Sequence, residues 1–334
     1  MATPLLSVEH LRVEIPTRRG ALVAVDDVSF SIASGEVLGV VGETGAGKSL
    51  TGTAIIGLLD PPARIAGGRI SLAGRRIDHL SAEEMRHLRG KDIGAVFQDP
   101  LTSLNPLLTV GRHLTQTILA HLDLSPADAR ARALKLLTEV GIPAARERLD
   151  SYPHELSGGM RQRVVLALAF ACDPKLVIAD EPTTALDVSI QAQVIDLLKR
   201  MCRDHGTAVL LITHDMGVIA DTADRIAVMY AGRMVEVGPT RRVLKSPSHP
   251  YTRGLMASIP SMRRRGATLM QIEGSMPRLD ALPQGCPFHP RCTVKVARCE
   301  RERPDLMPEA TGQAACWLVE SAPDSAAAKA GGDG

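Results

Sequence analysis

Residues 42–49 have the types and spacing that bind phosphate. They read G-E-T-G-A-G-K-S and fit the phosphate-loop pattern G-x-x-x-x-G-K-[ST], with an apolar run before them and a helix-like stretch after them. Glycines let backbone N–H groups turn toward phosphate oxygens, and a helix start adds partial positive charge. Lys48 is predicted to hold the β- and γ-phosphates, and Ser49 to ligate Mg²⁺. The predicted nucleotide-binding residues here are Gly42, Glu43, Thr44, Gly45, Ala46, Gly47, Lys48 and Ser49.

Two acids follow a second apolar run, L-V-I-A at residues 176–179. In open α/β sheets ligands bind at the carboxyl ends of the strands, which is where Asp180 and Glu181 would lie. Asp180 is predicted to position Mg²⁺ through water, and Glu181 to polarise the water that attacks the phosphate. The alternative, two acids that only cap a strand, is disfavoured because the phosphate loop occurs in the same chain.

Hydrophobic patterning predicts the elements that position these residues. Strands are expected within residues 1–40 and at 67–80, 176–179, 208–213 and near 232–238, and helices at 49–59, 159–172 and 190–204. The stretch from Ser81 to about residue 141 reads as mostly helical and begins with a capping box. Apolar strands separated by helices predict an α/β fold with a parallel sheet covered on both faces.

Composition excludes several classes of protein. The chain has 334 residues, a net charge of +2 and only 4 Phe, 3 Tyr and 1 Trp, so neither a basic nucleic-acid face nor a base-stacking platform is expected. Apolar runs fall short of the roughly 20 residues that cross a bilayer, and the N-terminus lacks the pattern of a secretory signal. The sequence therefore predicts a cytosolic protein whose 6 cysteines are thiols or metal ligands.

Four further segments carry a family resemblance. They are Leu156-Ser157-Gly158-Gly159-Met160, Gln98 in V-F-Q-D-P, Ala185-Leu186-Asp187, and His214 in I-T-H-D. In the order given, the four segments resemble the signature, the Q-loop, the D-loop and the switch histidine of ABC-transporter ATPases. With the phosphate loop and Asp180-Glu181 they make six motifs, which follow the family's order over residues 8–240.

The resemblance implies a fold, a domain division and residue roles. It implies an ABC-type P-loop ATPase domain at 1–245, with a mixed sheet and a helical subdomain at about 100–165. Ser157, Gly158 and Gly159 would bind the γ-phosphate of ATP held by a partner subunit, because they start a helix. His214 would contact the γ-phosphate. Gln98 would ligate and sense Mg²⁺, sense the nucleotide and link to the membrane subunit. Glu181, His214 and Gln98 are thus the predicted catalytic residues.

The end of the chain indicates a branch of the family. The extended Q-loop at 97–106, the segment S-H-P-Y-T at 248–252 and a cysteine-rich end resemble the ATPase subunits of oligopeptide and dipeptide importers, a branch shared with nickel importers. This branch implies a second, distinct ATPase chain, two membrane permeases and an extracytoplasmic substrate-binding protein, with this chain at the cytoplasmic face. A soluble ABC ATPase that acts on nucleic acid, and an iron-sensing regulatory module, are the rival interpretations.

A change of composition after residue 247 predicts a small cysteine-rich domain at 246–320 and a disordered tail at 321–334. Cys286, Cys292, Cys299 and Cys316 are spaced C-x5-C-x6-C-x16-C. Zinc usually takes closer cysteine pairs, so the spacing favours an iron–sulfur cluster, with zinc as the rival. Scattered buried cysteines are a third possibility. The family resemblance also implies a [4Fe–4S] cluster, beside which Arg291 would place positive charge.

One part of the family pattern is not matched. Relatives stack adenine on an aromatic residue ahead of the phosphate loop, but residues 17–25 contain none. Arg18, Arg19 or Leu22 would cover the ring instead, by guanidinium stacking or apolar contact. The basic run at 262–265 is interpreted as a solvated linker, since its charges are too few for a lipid-headgroup site.

Overall fold

A computed structural model describes residues 3–98, 103–183, 187–258, 272–309 and 312–319. It confirms the α/β class and the mixed sheet. The predicted tail at 321–334, the basic run at 262–265 and parts of the predicted Q-loop and D-loop, Pro100, Ala185 and Leu186 among them, lie outside the described residues.

The strands fall into two sheets. In chain order they are β1 Leu6–Thr17, β2 Gly20–Ile32, β3 Val37–Val41, β4 Arg64–Leu72, β5 Arg75–Arg76, β6 Ile93–Val96, β7 Leu176–Asp180, β8 Ala208–Ile212, β9 Arg225–Tyr230, β10 Arg233–Pro239, β11 Met307–Glu309 and β12 Gly312–Ala314. An antiparallel four-stranded sheet has the order β2-β1-β4-β5, and an eight-stranded sheet has the order β11-β12-β10-β9-β3-β8-β7-β6.

Some of the α-helices lie against the larger sheet and others pack on one another. They are α1 Lys48–Ile55, α2 Ala82–Leu88, α3 Val110–His121, α4 Pro126–Glu139, α5 Ala145–Arg148, α6 Gly158–Ala169, α7 Val188–His205, α8 Met216–Thr222, α9 Thr240–Lys245 and α10 Pro250–Ala257. Short 3-10 helices lie at Pro153–Glu155, His289–Arg291 and Ala297–Glu300. The capping box predicted at Ser81 is present, since its side chain and that of Glu84 each accept an N–H of the other residue.

Five strands of the larger sheet are parallel, and this arrangement positions the site. β3 lies between β8 and β9, while β7 lies between β8 and β6. Every residue of β3 and β8 is buried. This is why both strands read as continuous apolar runs and not as alternating ones. Their carboxyl ends meet at one edge, from which the loops carrying the predicted chemistry emerge.

The prediction that residues 81–141 are mostly helical is wrong at β6. This strand of four residues pairs in parallel with β7 at the edge of the sheet, with Ile93 opposite Leu176. Gly94 allows the close approach of α6, because a Cβ there would collide with the carbonyl group of Ala169. So short a strand, with a glycine inside it, carries little periodicity, and the helices on either side mask it.

The C-terminal segment extends the larger sheet. β12 pairs antiparallel with β10, and β11 pairs with β12. Phe288 and the cysteines at 286 and 299 belong to the same buried apolar cluster as the helices around the sheet. The division of the chain at residues 245 and 246 stays a prediction, but this segment shares both a sheet and a core with the ATPase part.

A fully buried carboxylate ties β10 to the helices that follow it. Glu236 is 0% exposed, and its oxygens accept hydrogen bonds from the Arg242 guanidinium at 2.9 Å and from the backbone N–H groups of Ser248 at 2.8 Å and His249 at 2.9 Å. Both carboxylate oxygens accept hydrogen bonds, and the Arg242 guanidinium compensates the buried charge.

Replacement of this carboxylate is expected to destabilise the whole fold. Glu236→Gln leaves Arg242 and the two amides poorly matched, and we expect the free energy of unfolding to fall by about 3 kcal/mol, as for a buried pair that loses one partner. Urea unfolding of the full chain measures this. Glu300→Gln, which removes an exposed ion pair with Lys295, is the control and should leave the unfolding midpoint unchanged. Equal stability of Glu236→Gln and the wild type would contradict the assignment.

Candidate nucleotide-hydrolysis site

The predicted phosphate loop connects β3 to α1. Gly42 has φ +156° and lies so close to β9 that a Cβ would overlap the carbonyl oxygen of Met229. Gly47 has φ +100° and is the N-cap residue of α1. Glycine is therefore required for both the backbone conformation and the close approach. The loop opens onto the N-terminus of a helix, as an anion site requires.

Lys48 is held inside this loop. Its Nζ donates to the carbonyl oxygens of Gly42 at 2.8 Å and Glu43 at 3.1 Å, and the residue is buried. Burial lowers the pKa of Lys48, while the carboxylates of Glu181, Asp180 and Glu43 act in the opposite direction. The ammonium group is thus placed at the loop by the loop's own backbone.

Ser49 and Asp180 meet across the site although they are 131 positions apart. The Ser49 hydroxyl donates to Asp180 Oδ1 at 3.1 Å. Burial raises the pKa of Asp180, the Ser49 hydrogen bond and Lys48 lower it, and the like charge of Glu181 raises it further. A hydroxyl and a carboxylate supply the oxygen ligands that Mg²⁺ prefers, and the charge of the ion would offset the repulsion between Asp180 and Glu181. The donor set therefore fits the predicted ion.

The three residues predicted to be catalytic meet at one carboxylate. Gln98 Nε2 donates to Glu181 Oε2 at 3.1 Å, and His214 Nδ1 lies 3.1 Å from Glu181 Oε1. The Glu181 side chain is 17% exposed and that of His214 is 65% exposed. Glu181 also has φ +48°, and its N–H donates to Ile212 O at 2.8 Å. A non-glycine residue in this strained conformation often marks a functional site. The metal-sensing role predicted for Gln98 stays a prediction.

The signature segment lies elsewhere, at the start of α6. Ser157 is the N-cap residue, and its hydroxyl accepts a hydrogen bond from Met160 N–H at 3.3 Å. Gly158 opens the helix, and Gly159 lies against Ile190. The described hydrogen bonds do not connect these residues to the phosphate loop of the same chain. Sequence reasoning missed Gln162, which is buried and donates to Pro182 O just after the acidic pair.

The residues considered for adenine lie at the first hairpin. Arg18 and Arg19 form the turn between β1 and β2, and Leu22 pairs with Ile15 on β1. The residue that covers the ring stays a prediction.

Two of the four C-terminal cysteines are joined through their backbones, since the Cys286 N–H donates to Cys299 O at 2.8 Å. Burial raises the pKa of Cys286 to about 11, an N–H of Phe288 acts against this, and the other three thiols raise it further. Burial likewise raises the pKa of Cys292 and that of Cys316. Nevertheless, in the part of the chain that the structure describes, no three or more His, Cys, Asp or Glu side chains form a group that could hold a metal ion.

Arg291 lies next to Cys292 but points to a different partner from the one expected. Its guanidinium contacts the Glu43 carboxylate of the phosphate loop at 3.0 Å, where we predicted a role beside an anionic cluster. Tyr251 also reaches Glu43, and sequence reasoning had used it only as a marker of the branch. The sequence does show an acidic residue inside the phosphate loop and an arginine among the cysteines. The residues around each of them give no indication that the two side chains form a pair.

Comparisons with known proteins agree with this geometry. The family described as "ABC transporter" matches residues 25–184, and the family described as "Oligopeptide/dipeptide transporter, C-terminal region" matches residues 235–299. The chain is 47% identical over 318 residues to the dipeptide transport ATP-binding protein DppD of Bacillus subtilis (strain 168), covering 95% of each. The chain belongs to the ABC transporter ATP-binding proteins. It is therefore an ATPase.

Other relatives and solved structures support the same family. The oligopeptide transport ATP-binding protein OppD of Escherichia coli (strain K12) is 47% identical over 303 residues, which is 91% of this chain and 90% of OppD. The dimeric post-hydrolysis structure of the ATP-binding cassette MJ0796 bound to ADP and Pi has a TM-score of 0.64 at 27% identity, covering 71% of this chain and 99% of that one. The structure of cbiO1 from Clostridium perfringens, part of the cbiONQ complex, has a TM-score of 0.63 at 28% identity, covering 73% and 92%.

Among the helices of the described residues, none is both long enough and apolar enough to span a bilayer.

Removal of the loop lysine tests the phosphate-loop assignment. Lys48→Ala deletes the charge that is predicted to face the phosphates, so we expect ATP affinity to fall at least roughly tenfold, as for a lost charge-assisted contact. Equilibrium titration with a fluorescent ATP analogue measures this, with the exposed Lys295→Ala as the charge-matched control. Normal affinity in Lys48→Ala would contradict the assignment.

Proposed function

We propose that this chain is the ATP-hydrolysing subunit of an importer that takes up dipeptides and oligopeptides. The single observation that carries the hydrolytic part is the Glu181 carboxylate, bonded to Gln98 and facing His214 beside the phosphate loop. The C-terminal match to oligopeptide and dipeptide transporters, and relatives named for dipeptide and oligopeptide transport, support the substrate class.

The proposed chemistry is in-line attack of water on the γ-phosphate of ATP, which breaks the bond from the γ-phosphorus to the bridging oxygen and releases ADP and phosphate. Glu181 would orient and polarise the water, because its oxygens lie between the amide of Gln98 and the ring of His214. Lys48 would bind the β- and γ-phosphates, and Ser49 with Asp180 would hold Mg²⁺, which neutralises developing charge when bound. The chain supplies positioning and charge stabilisation.

A partner subunit would complete each site. Ser157, Gly158 and Gly159 present the N-terminus of α6, which suits an anion, but they are bonded within their own helix and not to the loop at 42–49. We propose that they bind the ATP of a second ABC ATPase subunit, a different chain in a heterodimer, as the branch implies. The dimeric state of the MJ0796 structure supports such pairing.

Two permeases would dock beside the Q-loop. A cavity of about 190 Å³ lies between the segment that follows α1, strand β6 and the end of α6, and its lining includes Leu58 and Phe97, each 41% exposed. Phe97 directly precedes Gln98, so a cytoplasmic helix of a permease seated there would act on the residue that contacts Glu181. Together with an extracytoplasmic substrate-binding protein, this places the chain at the cytoplasmic face of the membrane. Neither nickel import nor action on nucleic acid is favoured by the relatives, which are named for dipeptide and oligopeptide transport.

Glu181→Gln tests the hydrolytic proposal. The substitution keeps the shape of the side chain but removes the carboxylate, so ATP should still bind while turnover falls roughly 100-fold or more. ATP turnover and uptake of a labelled tripeptide by the assembled transporter in liposomes measure this, with the exposed Glu300→Gln as control. Hydrolysis by Glu181→Gln at the wild-type rate would refute the role of Glu181. Hydrolysis by the wild type without peptide uptake would refute the substrate class.

We also propose that Cys286, Cys292, Cys299 and Cys316 ligate a [4Fe–4S] cluster. The support is the spacing of the four cysteines, the burial of Cys286, Cys299 and Cys316, and the backbone hydrogen bond from Cys286 N–H to Cys299 O at 2.8 Å. When bound, the cluster would fasten the C-terminal segment and would not carry electrons.

Metal analysis of anaerobically purified protein tests the cluster. We expect brown protein with about four irons per chain, because each thiolate would bind one iron of the cluster. Cys292→Ser should lose iron, whereas Cys172→Ser, a buried cysteine outside the group, should keep it. Colourless protein with one zinc per chain would decide for the rival metal.

A further inference from the structure

Arg291 is a buried cation of the C-terminal segment, and its guanidinium contacts the phosphate loop. Its side chain is 7% exposed, and Nη1 lies 3.0 Å from both carboxylate oxygens of Glu43. The other nitrogens donate to backbone carbonyl oxygens, among them that of Glu273 at 2.9 Å from Nε. The guanidinium is therefore fixed by its own segment and aimed at a single residue of the nucleotide site.

Tyr251, at the start of α10, makes a second bond to the same residue. Its hydroxyl accepts the backbone N–H of Glu43 at 2.9 Å, and the residue is fully buried. The ring packs 4.7 Å from Tyr230, at the end of β9, and 5.4 Å from Phe288, between centroids. These contacts leave the hydroxyl little freedom to move away from the loop.

Glu43 connects these two residues to the phosphate-binding lysine. Its N–H is held by Tyr251, its carboxylate by Arg291, and its carbonyl oxygen by Lys48 Nζ at 3.1 Å. Without Arg291, an uncompensated carboxylate would remain within the loop that must receive the phosphates, and like charges repel there.

We propose that Arg291 and Tyr251 are positioning residues of the phosphate loop, so that ATP affinity depends on the C-terminal segment. This rests on the assignment of residues 42–49 as the phosphate site. The ion pair between Arg303 of the same segment and Asp26 on β2, at 2.8 Å, provides a contrast. It joins the same two parts of the protein without contacting the phosphate loop.

The experiment compares the ion pair of Arg291 with that of Arg303. ATP affinity of the full chain is measured by titration with a fluorescent ATP analogue and Mg²⁺, for the wild type, Arg291→Gln, Tyr251→Phe, Glu43→Gln, the double variant Arg291→Gln/Glu43→Gln, and Arg303→Gln as the matched control. Unfolding midpoints are recorded for every variant. In the assembled transporter, KM and kcat for ATP are determined separately.

We expect Arg291→Gln to weaken ATP binding roughly tenfold, within the usual range of coupling between sites. It should raise KM with little change in kcat, because binding and not the chemical step is affected. The added Glu43→Gln substitution should recover most of the loss, which a purely structural role would not allow. Tyr251→Phe, which removes only a hydroxyl, should weaken binding a few-fold with little change in the unfolding midpoint. Arg303→Gln should bind ATP normally.

Three results would overturn the proposal. The first is wild-type affinity in both Arg291→Gln and Tyr251→Phe, and the second is a loss in Arg291→Gln that Glu43→Gln does not recover. The third is an equal loss in Arg303→Gln. Should Arg291→Gln not fold, Tyr251→Phe decides alone. Lys48→Ala distinguishes a failure of the phosphate-site assignment from a failure of the positioning role. Normal ATP binding by Lys48→Ala would refute the phosphate site itself. Weakened ATP binding by Lys48→Ala, together with normal binding by the Arg291 and Tyr251 variants, would refute only the positioning role.

Discussion

The hydrogen-bonded carboxylate of Glu181 is the constraint on which the rest of the site depends. Its two oxygens face Gln98 and His214, so the loops that follow β6, β7 and β8 must all end at one place. Parallel pairing in register provides this, with Val96 opposite Ala179 and Asp180 opposite Ile212. The positive φ of Glu181 turns the chain at the end of β7 and is sustained by the surrounding buried strands.

The same edge of the sheet receives parts of the protein that are distant in sequence. The phosphate loop is confined by β9 on one side and bonded by Arg291 and Tyr251 on another, so its shape depends on residues from the C-terminal third of the chain. Our proposals extend this dependence in two directions. A permease would act on the site through Phe97 and Gln98, and the C-terminal segment through Glu43.

Local patterns indicated the residues of the candidate site more clearly than the elements around them. Lys48, Ser49 and the pair Asp180-Glu181 were proposed because a short motif and the strand before it carry their own signal. Strand β6 was missed because four residues with a glycine show little periodicity. The contact between Glu43 and Arg291 spans 248 positions and depends on how the C-terminal segment packs on the sheet, so no window of sequence contains it.

The central claim is that one chain holds only half of each hydrolytic site. The most direct measurement is ATP turnover per chain over a dilution series, with the fraction of monomer counted by mass photometry in the same samples. The account predicts that nucleotide stays bound while turnover per chain falls as monomer replaces dimer, because the Ser157 segment of a partner is lost from the γ-phosphate. Constant turnover per chain in samples that contain only monomer would contradict it.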